Sequence, residues 1–161
     1  MFRKQIHKSM RSRPRAEYAE LVENLARYLK EAEGIQIRVP APISWREVAQ
    51  MSAEPLFSFG SHGVSHTAVS ALNGTELERE FHESREVIAQ HTGRECRHFC
   101  YPYGSPESIG ADAPAMAARF YRSAATMCRG HLNGAEPYLL PRIPLYQRDT
   151  PALARLKVLT A

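Results

Sequence analysis

Two short apolar runs, Leu56-Phe57-Ser58-Phe59 and His98-Phe99-Cys100-Tyr101, are each followed by turn residues and then by a helical pattern with its own start and stop signals. This alternation constrains the fold more than any other feature of the chain. Strand-then-helix repetition calls for a parallel sheet with crossover helices. In such sheets, ligands and reacting groups collect beyond the C-terminal ends of the strands. The segments that follow Phe59 and Tyr101 are therefore where function should sit.

The helical stretches are well marked. Tyr18, Leu21, Val22, Leu25, Ala26 and Leu29 form one apolar stripe and predict a helix from Glu17 to Glu33, with Gly34 as its cap. Pro40 and Pro42 break the chain. Ser44-Trp45-Arg46-Glu47 then has capping-box form for a short helix. A longer helix opens at Gly74-Thr75, with Thr75 and Glu78 as a second capping box. Leu77, Phe81, Ser84 and Ile88 form its inner face, and Thr92-Gly93 its end. Another helix starts at Asp112-Ala113-Pro114, with Asp112 as N-cap. Ser123 to Met127 reads as a strand, Leu139 to Tyr146 as an extended segment with two prolines, and Pro151 to Leu159 as a final helix. No repeat or low-complexity linker divides the 161 residues. They read as one domain over 16–161 behind a tail over 1–15.

That tail carries the charge. Residues 1–15 hold six basic groups and no acid, while the other 146 residues hold 15 basic and 17 acidic groups. The net charge of +4 thus belongs to a terminus and not to a face of the domain. A basic terminus could meet nucleic acid or an anionic membrane. A solvated, poorly ordered end is the plainer expectation. Only Phe2 interleaves these charges, so no base-stacking platform and no nucleic-acid partner are expected. No apolar run approaches the roughly 20 residues of a membrane span, and no apolar h-region follows the basic start. As written, the sequence predicts a cytoplasmic protein. Three cysteines, Cys96, Cys100 and Cys128, cannot all pair within one chain, which speaks against a disulfide framework.

The segment after the first predicted strand is Gly60-Ser61-His62-Gly63-Val64-Ser65-His66-Thr67. Neutral imidazoles are good ligands for zinc and similar divalent metals. Two histidines four apart can face one ion if the segment is turned, and Gly60, Ser61 and Ser65 suit a tight turn. By spacing alone, one surface histidine and one core histidine is an equal reading.

Together with Leu72 and the following helix, Phe59–Thr67 resembles the second motif of the polysaccharide deacetylases, the NodB-homology carbohydrate esterases. Arg97-His98-Phe99-Cys100-Tyr101-Pro102-Tyr103-Gly104 resembles the strand and third motif of that family. Leu140-Pro141-Arg142-Ile143-Pro144-Leu145 resembles a late strand. The resemblance spans roughly residues 43–157, in order. It implies a deformed (β/α) barrel, here partial and lacking its first strands. It also implies metal-dependent hydrolysis of the acetamide of N-acetylated sugars in a carbohydrate polymer. His62 and His66 match the two metal histidines, the metal being a divalent ion such as zinc. Pro102, Tyr103 and Gly104 match the third motif, where the resemblance implies a backbone N–H at Tyr103 that helps hold an oxyanion.

The departures are as informative. The first motif, with its paired aspartates, is absent: the chain has only Asp112 and Asp149. The base and the third metal ligand that the resemblance implies have no counterpart. No histidine follows His131, so the late acid has none either. Cys100 stands where many members have arginine. The chain looks like the C-terminal part of a deacetylase domain. Alternative expectations are an inactive remnant that binds carbohydrate or a partner, with Tyr101, Tyr103 and Tyr146 as stacking surfaces, and a structural zinc site of His62, His66, Cys96 and Cys100. In a strand, Cys96 and Cys100 would stand about 13 Å apart, which disfavours the last. Sheet edges left open by missing strands favour a homodimer, in which a second subunit could donate the missing carboxylate.

Overall fold

A computed structural model describes residues 15–34, 41–146 and 148–160. The basic tail, apart from Arg15 at the start of a helix, lies outside the described residues. The chain is a mixed α/β structure. Helix α1 (Arg15–Glu33) is followed by α2 (Trp45–Ala53), a 3₁₀ turn at Val69–Ala71 and α3 (Gly74–Thr92). Strand β1 (His98–Cys100), α4 (Pro106–Ile109), α5 (Ala113–Phe120), β2 (Ser123–Ala125) and α6 (Pro151–Leu159) complete it.

The sheet is parallel, as the alternation predicts, but small. β1 pairs with β2 in the register His98–Ser123, Phe99–Ala124 and Cys100–Ala125. Single parallel bridges extend it on both sides, Ser61 to Phe99 and Leu140 to Ala125. Among the described residues this pair and its two bridges are the whole sheet.

Leu56–Phe59 is not a strand. Pro55 follows the end of α2 and pins a turn in which the Phe57 N–H donates to the Glu54 carbonyl at 3.2 Å. Leu56 is left 94% exposed. Extended pairing begins only at Ser61, whose N–H donates to the His98 carbonyl and whose carbonyl accepts from the Cys100 N–H, both at 2.8 Å. Gly60 allows that approach, since a Cβ there would lie 3.0 Å from the His98 oxygen. The predicted strand over 123–127 shortens to Ser123–Ala125, and the extended run over 139–146 forms a strand bridge at Leu140 and a further backbone bond from the Arg142 N–H to the Cys128 carbonyl. The short α4 had no forecast in the sequence.

The helices follow the sequence closely, with two corrections at their caps. α2 has the predicted capping box between Ser44 and Glu47. α3 is capped by Asn73, not Thr75: its side chain accepts from the N–H groups of Thr75 and Glu76, and Glu76 reaches back to the Asn73 N–H. Asparagine at the preceding position is the stronger cap. The inner face is unchanged, with Leu77, Phe81 and Ser84 buried. Asp112 occupies the N-cap of α5, but its side chain makes no capping bond. On the stripe of α1, Leu21, Val22 and Leu25 are exposed at 44%, 39% and 53%, while Ala26 and Leu29 are half-buried.

The core lies between α3, β1, α5 and β2. Phe81, Phe99, Tyr101 and Tyr121 form a buried aromatic cluster, with Phe81 and Phe99 rings 4.6 Å apart and Phe99 and Tyr101 5.3 Å apart. Ala113, Ala117 and Ala124 let α5 and β2 approach it closely. Burying one such aromatic contributes about 2–3 kcal/mol. The cluster therefore anchors β1, and β1 carries the site.

Candidate functional site

Two loops leave neighbouring strand positions at the same end of the sheet. One is Ser61–Thr67, after the Ser61 bridge. The other is Tyr101–Gly104, after β1. Between them is a cavity of about 720 Å³ lined by His62, His66, Cys100, Tyr103, Met127 and Arg142, among others. The structure thus brings three of the five residues singled out from the sequence, His62, His66 and Tyr103, to one opening at strand C-terminal ends, as expected; Pro102 and Gly104 flank Tyr103 in the second loop but are not part of the lining.

The first loop is bent by Gly63 and His66, at φ 85° and 59°. The Ser61 hydroxyl is buried and donates to Ser84 at 2.6 Å. The His62 Nδ1 lies 2.6 Å from the Cys100 carbonyl. A carbonyl only accepts, so Nδ1 carries the proton and Nε2 keeps its lone pair. This is the arrangement that orients a metal-ligating histidine. Partial burial, the chief cause, and the positive charges of His66 and Arg142 hold the His62 pKa below its usual value, against the opposing bond to Cys100. The ring is therefore neutral at neutral pH. The His66 ring stands edge-on to it, centroids 4.9 Å apart, and 5.0 Å from the Tyr103 ring.

The second loop is tighter. The Gly104 N–H donates to the Pro102 carbonyl at 2.7 Å across Tyr103, whose φ is 62°. That is a γ-turn of the rarer hand, which stores backbone strain. Pro102 is fully buried beneath it. Gly104 also has a φ of 62°, and a Cβ there would meet the Met127 nitrogen at 2.5 Å. Only glycine fits.

The donor set is right in kind for a divalent metal and incomplete in number. Two imidazoles, one in a fixed tautomer, meet at the cavity. Among the described residues no group of three His, Cys, Asp or Glu side chains could hold an ion. Asp149 is engaged elsewhere: Lys157, at 2.6 Å, and the Tyr146 N–H hold its carboxyl below the usual range. Cys96 and Cys100 do not join the histidines in a metal-binding group. Cys96 is buried with its thiol near the His98 carbonyl, and Cys100 turns its thiol toward the Tyr101 carbonyl. Burial pushes both thiols up, with Arg142 opposing this at Cys100. All three cysteines are free thiols. Tyr101 is no stacking surface. It is fully buried, and its hydroxyl donates to the Tyr138 carbonyl at 2.9 Å. Tyr146 lies outside the cavity lining, beside Lys157. Tyr101 and Tyr103 both contribute to the cavity lining, but of the two only Tyr103 is partly exposed.

Two functional-looking residues escaped the sequence reading. Arg142 lines the cavity, with its Nε donating to the Thr126 carbonyl at 2.7 Å. Its segment resembles the late strand, but no spacing places a guanidinium beside His62. Glu80 holds the first loop from below, accepting the Val64 N–H at 2.6 Å. A glutamate on the predicted inner side of a helix, one residue before Phe81, was the available signal.

The family model described as polysaccharide deacetylase matches residues 12–119. It reaches further toward the N-terminus than the resemblance read from the motifs, and it stops short of the late strand. No curated protein sequence matches the chain. Solved structures do. A polysaccharide deacetylase from Bacillus cereus superposes with a TM-score of 0.66 at 20% identity, over 76% of this chain and 38% of its own. A Streptococcus pyogenes deacetylase, solved in complex with acetate, gives 0.65 at 18% identity, over 73% and 51%. A deacetylase domain from Bordetella bronchiseptica gives 0.53 at 20% identity, over 71% and 57%. These likenesses speak for the fold. The chain spans between about two fifths and three fifths of each of these structures.

Proposed function

This chain belongs to the polysaccharide deacetylase family, and from that premise we propose that its cavity is the surviving half of a deacetylase site for N-acetylated sugars in a carbohydrate polymer. The domain over 16–161 is then a partial, deformed (β/α) barrel without its first strands. The observation that carries the proposal is the convergence of His62, with its tautomer fixed, and His66 on the cavity that Tyr103 also borders.

His62 and His66 would hold a divalent ion such as zinc. When bound, such an ion lowers the pKa of water and polarises an acetamide carbonyl. The chain's own residues do the rest. The Cys100 carbonyl keeps His62 in the ligating tautomer, and partial burial, with a smaller push from Arg142, keeps it deprotonated. The Tyr103 turn presents its backbone where an oxyanion would develop, with Pro102 and Gly104 fixing the turn. The Tyr103 ring forms one wall for the sugar.

A second reading is favoured by one observation: among the described residues, no carboxylate lines the cavity. Without a base and a third ligand, the chain would bind carbohydrate or a partner without turning it over, unless a second copy supplies the carboxylate across a sheet edge. Isothermal titration with zinc and acetate release from N-acetylglucosamine oligomers separate the readings. Wild type should bind zinc weakly, and His62→Ala and His66→Ala should each abolish binding while leaving the thermal midpoint nearly unchanged. Metal-dependent acetate release by the purified monomer would sink the inactive reading. Release only above the concentration at which dimers form would favour the shared site.

A further inference from the structure

Glu80 is 6% exposed and sits on α3 directly beneath the His62–His66 loop. A buried carboxylate ordinarily needs a cation. Among the described residues, Glu80 has no arginine or lysine within ion-pair distance. It is satisfied by the loop instead. Oε2 accepts the Val64 N–H at 2.6 Å, and both oxygens share the Ser65 N–H at 3.1 Å. Charge-assisted bonds of this kind are stronger than neutral ones. The loop wraps so closely that a Cβ on Gly63 would lie 2.8 Å from Oε2, at a backbone φ of 85°. A second thread runs alongside: Ser61 donates to Ser84, and Ser84 donates to the Glu80 carbonyl, both at 2.6 Å. The residue next in the loop is His66, held at φ 59°, a conformation a non-glycine residue keeps only when its surroundings impose it.

We infer that Glu80 is a positioning residue: its carboxylate gathers the Val64 and Ser65 amides, and so sets the backbone that turns His62 and His66 toward one point. The inference rests on the proposed role of the histidine pair as metal ligands. The loop-holding part can be tested without it. Glutamine in this place keeps the shape but loses the charge, and it turns an N–H group toward donors that need an acceptor. Aspartate keeps the charge but falls one methylene short.

The test uses the full chain, with amide hydrogen exchange and zinc titration as readouts. In Glu80→Gln, exchange at Val64 and Ser65 should rise at least tenfold more than in the α3 core, and zinc affinity should fall at least tenfold. Gly63→Ala, which drives a methyl into Oε2, should reproduce the exchange change with Glu80 intact. Ile88→Ala, a partly buried position on the same helix away from the loop, is the control for lost stability. It should leave zinc affinity at the wild-type value. Exchange at Val64 and Ser65 that only tracks the α3 core in Glu80→Gln overturns the inference. So does wild-type zinc affinity in that variant. A wild-type chain that binds no zinc overturns the metal role of the pair, and the exchange data then decide alone whether Glu80 holds the loop.

Discussion

At the N-terminal end of β1, Glu95 faces Arg85, Arg97 and Arg122 at 3.7, 3.0 and 3.6 Å on open surface. At the C-terminal end, His62, His66 and Arg142 line a cavity that no carboxylate of the described residues enters. One end has its charges matched and bathed in water. The other has positive charge left over and polar groups held one by one from beneath. Exposed ion pairs contribute little because water screens them and side-chain entropy opposes them. Buried backbone-to-carboxylate bonds and a strained turn are a different matter, since losing one partner strands the other. Three residues of strand therefore separate a region tolerant of change from one that is not.

The comparison is sharpest at Gly104. Replacing it with alanine forces a Cβ against the Met127 backbone at a positive φ. The denaturation midpoint should correspond to a loss of about 2 kcal/mol or more. An unchanged midpoint in urea would mean that the γ-turn gives way easily and that the two ends are alike.

A smaller effect is expected from acid. The His62 pKa is lowered from 6.5, first by burial and then by the charges of His66 and Arg142. Below 6.5 the unfolded chain takes up a proton that the folded ring resists, so the unfolded state binds more protons. This contribution to stability is fully present above pH 6.5 and is lost as the pH falls through the folded value. In Arg142→Met, one of the repelling charges is gone. The His62 titration followed by NMR should move up, though not all the way to 6.5, because burial persists. A titration that stays in place would show that Arg142 does not act on the ring.

The smallest effect belongs to the other end. Glu95→Ala removes the acid from three arginines, yet all four side chains are at least 30% exposed. The thermal midpoint should stay within experimental scatter in 0.15 M salt. A clear drop would erase the contrast between the two ends of β1.

Helices were legible where local chemistry decides them. The Ser44–Glu47 box, the α3 face of Leu77, Phe81 and Ser84, and the glycine stops at Gly34 and Gly93 all depend on residues within a turn of one another. Strands were legible in place more than in extent. Leu56–Phe59 has strand composition, but Pro55 claims it for a turn, and pairing starts where the His98 backbone is waiting. The histidine pair and the Tyr103 turn could be read because each motif is contiguous. Glu80 and Arg142 could not, because their partners lie 15 or more residues away and no spacing rule links them. α1 illustrates the same limit from the other side. Its periodicity was plain, but periodicity says nothing about whether a partner covers the stripe.

The bond from His62 to the Cys100 carbonyl closes a span of 38 residues. This has a consequence in time. During synthesis the histidine loop leaves the ribosome well before the strand that fixes its tautomer, and a crossover helix must fold in between. Contacts of such separation form late, after the loop-closure entropy has been overcome. The pair should therefore gain its fixed tautomer and mutual geometry in the same step that docks β1 against α3. A partly folded chain would carry both histidines and still lack the site.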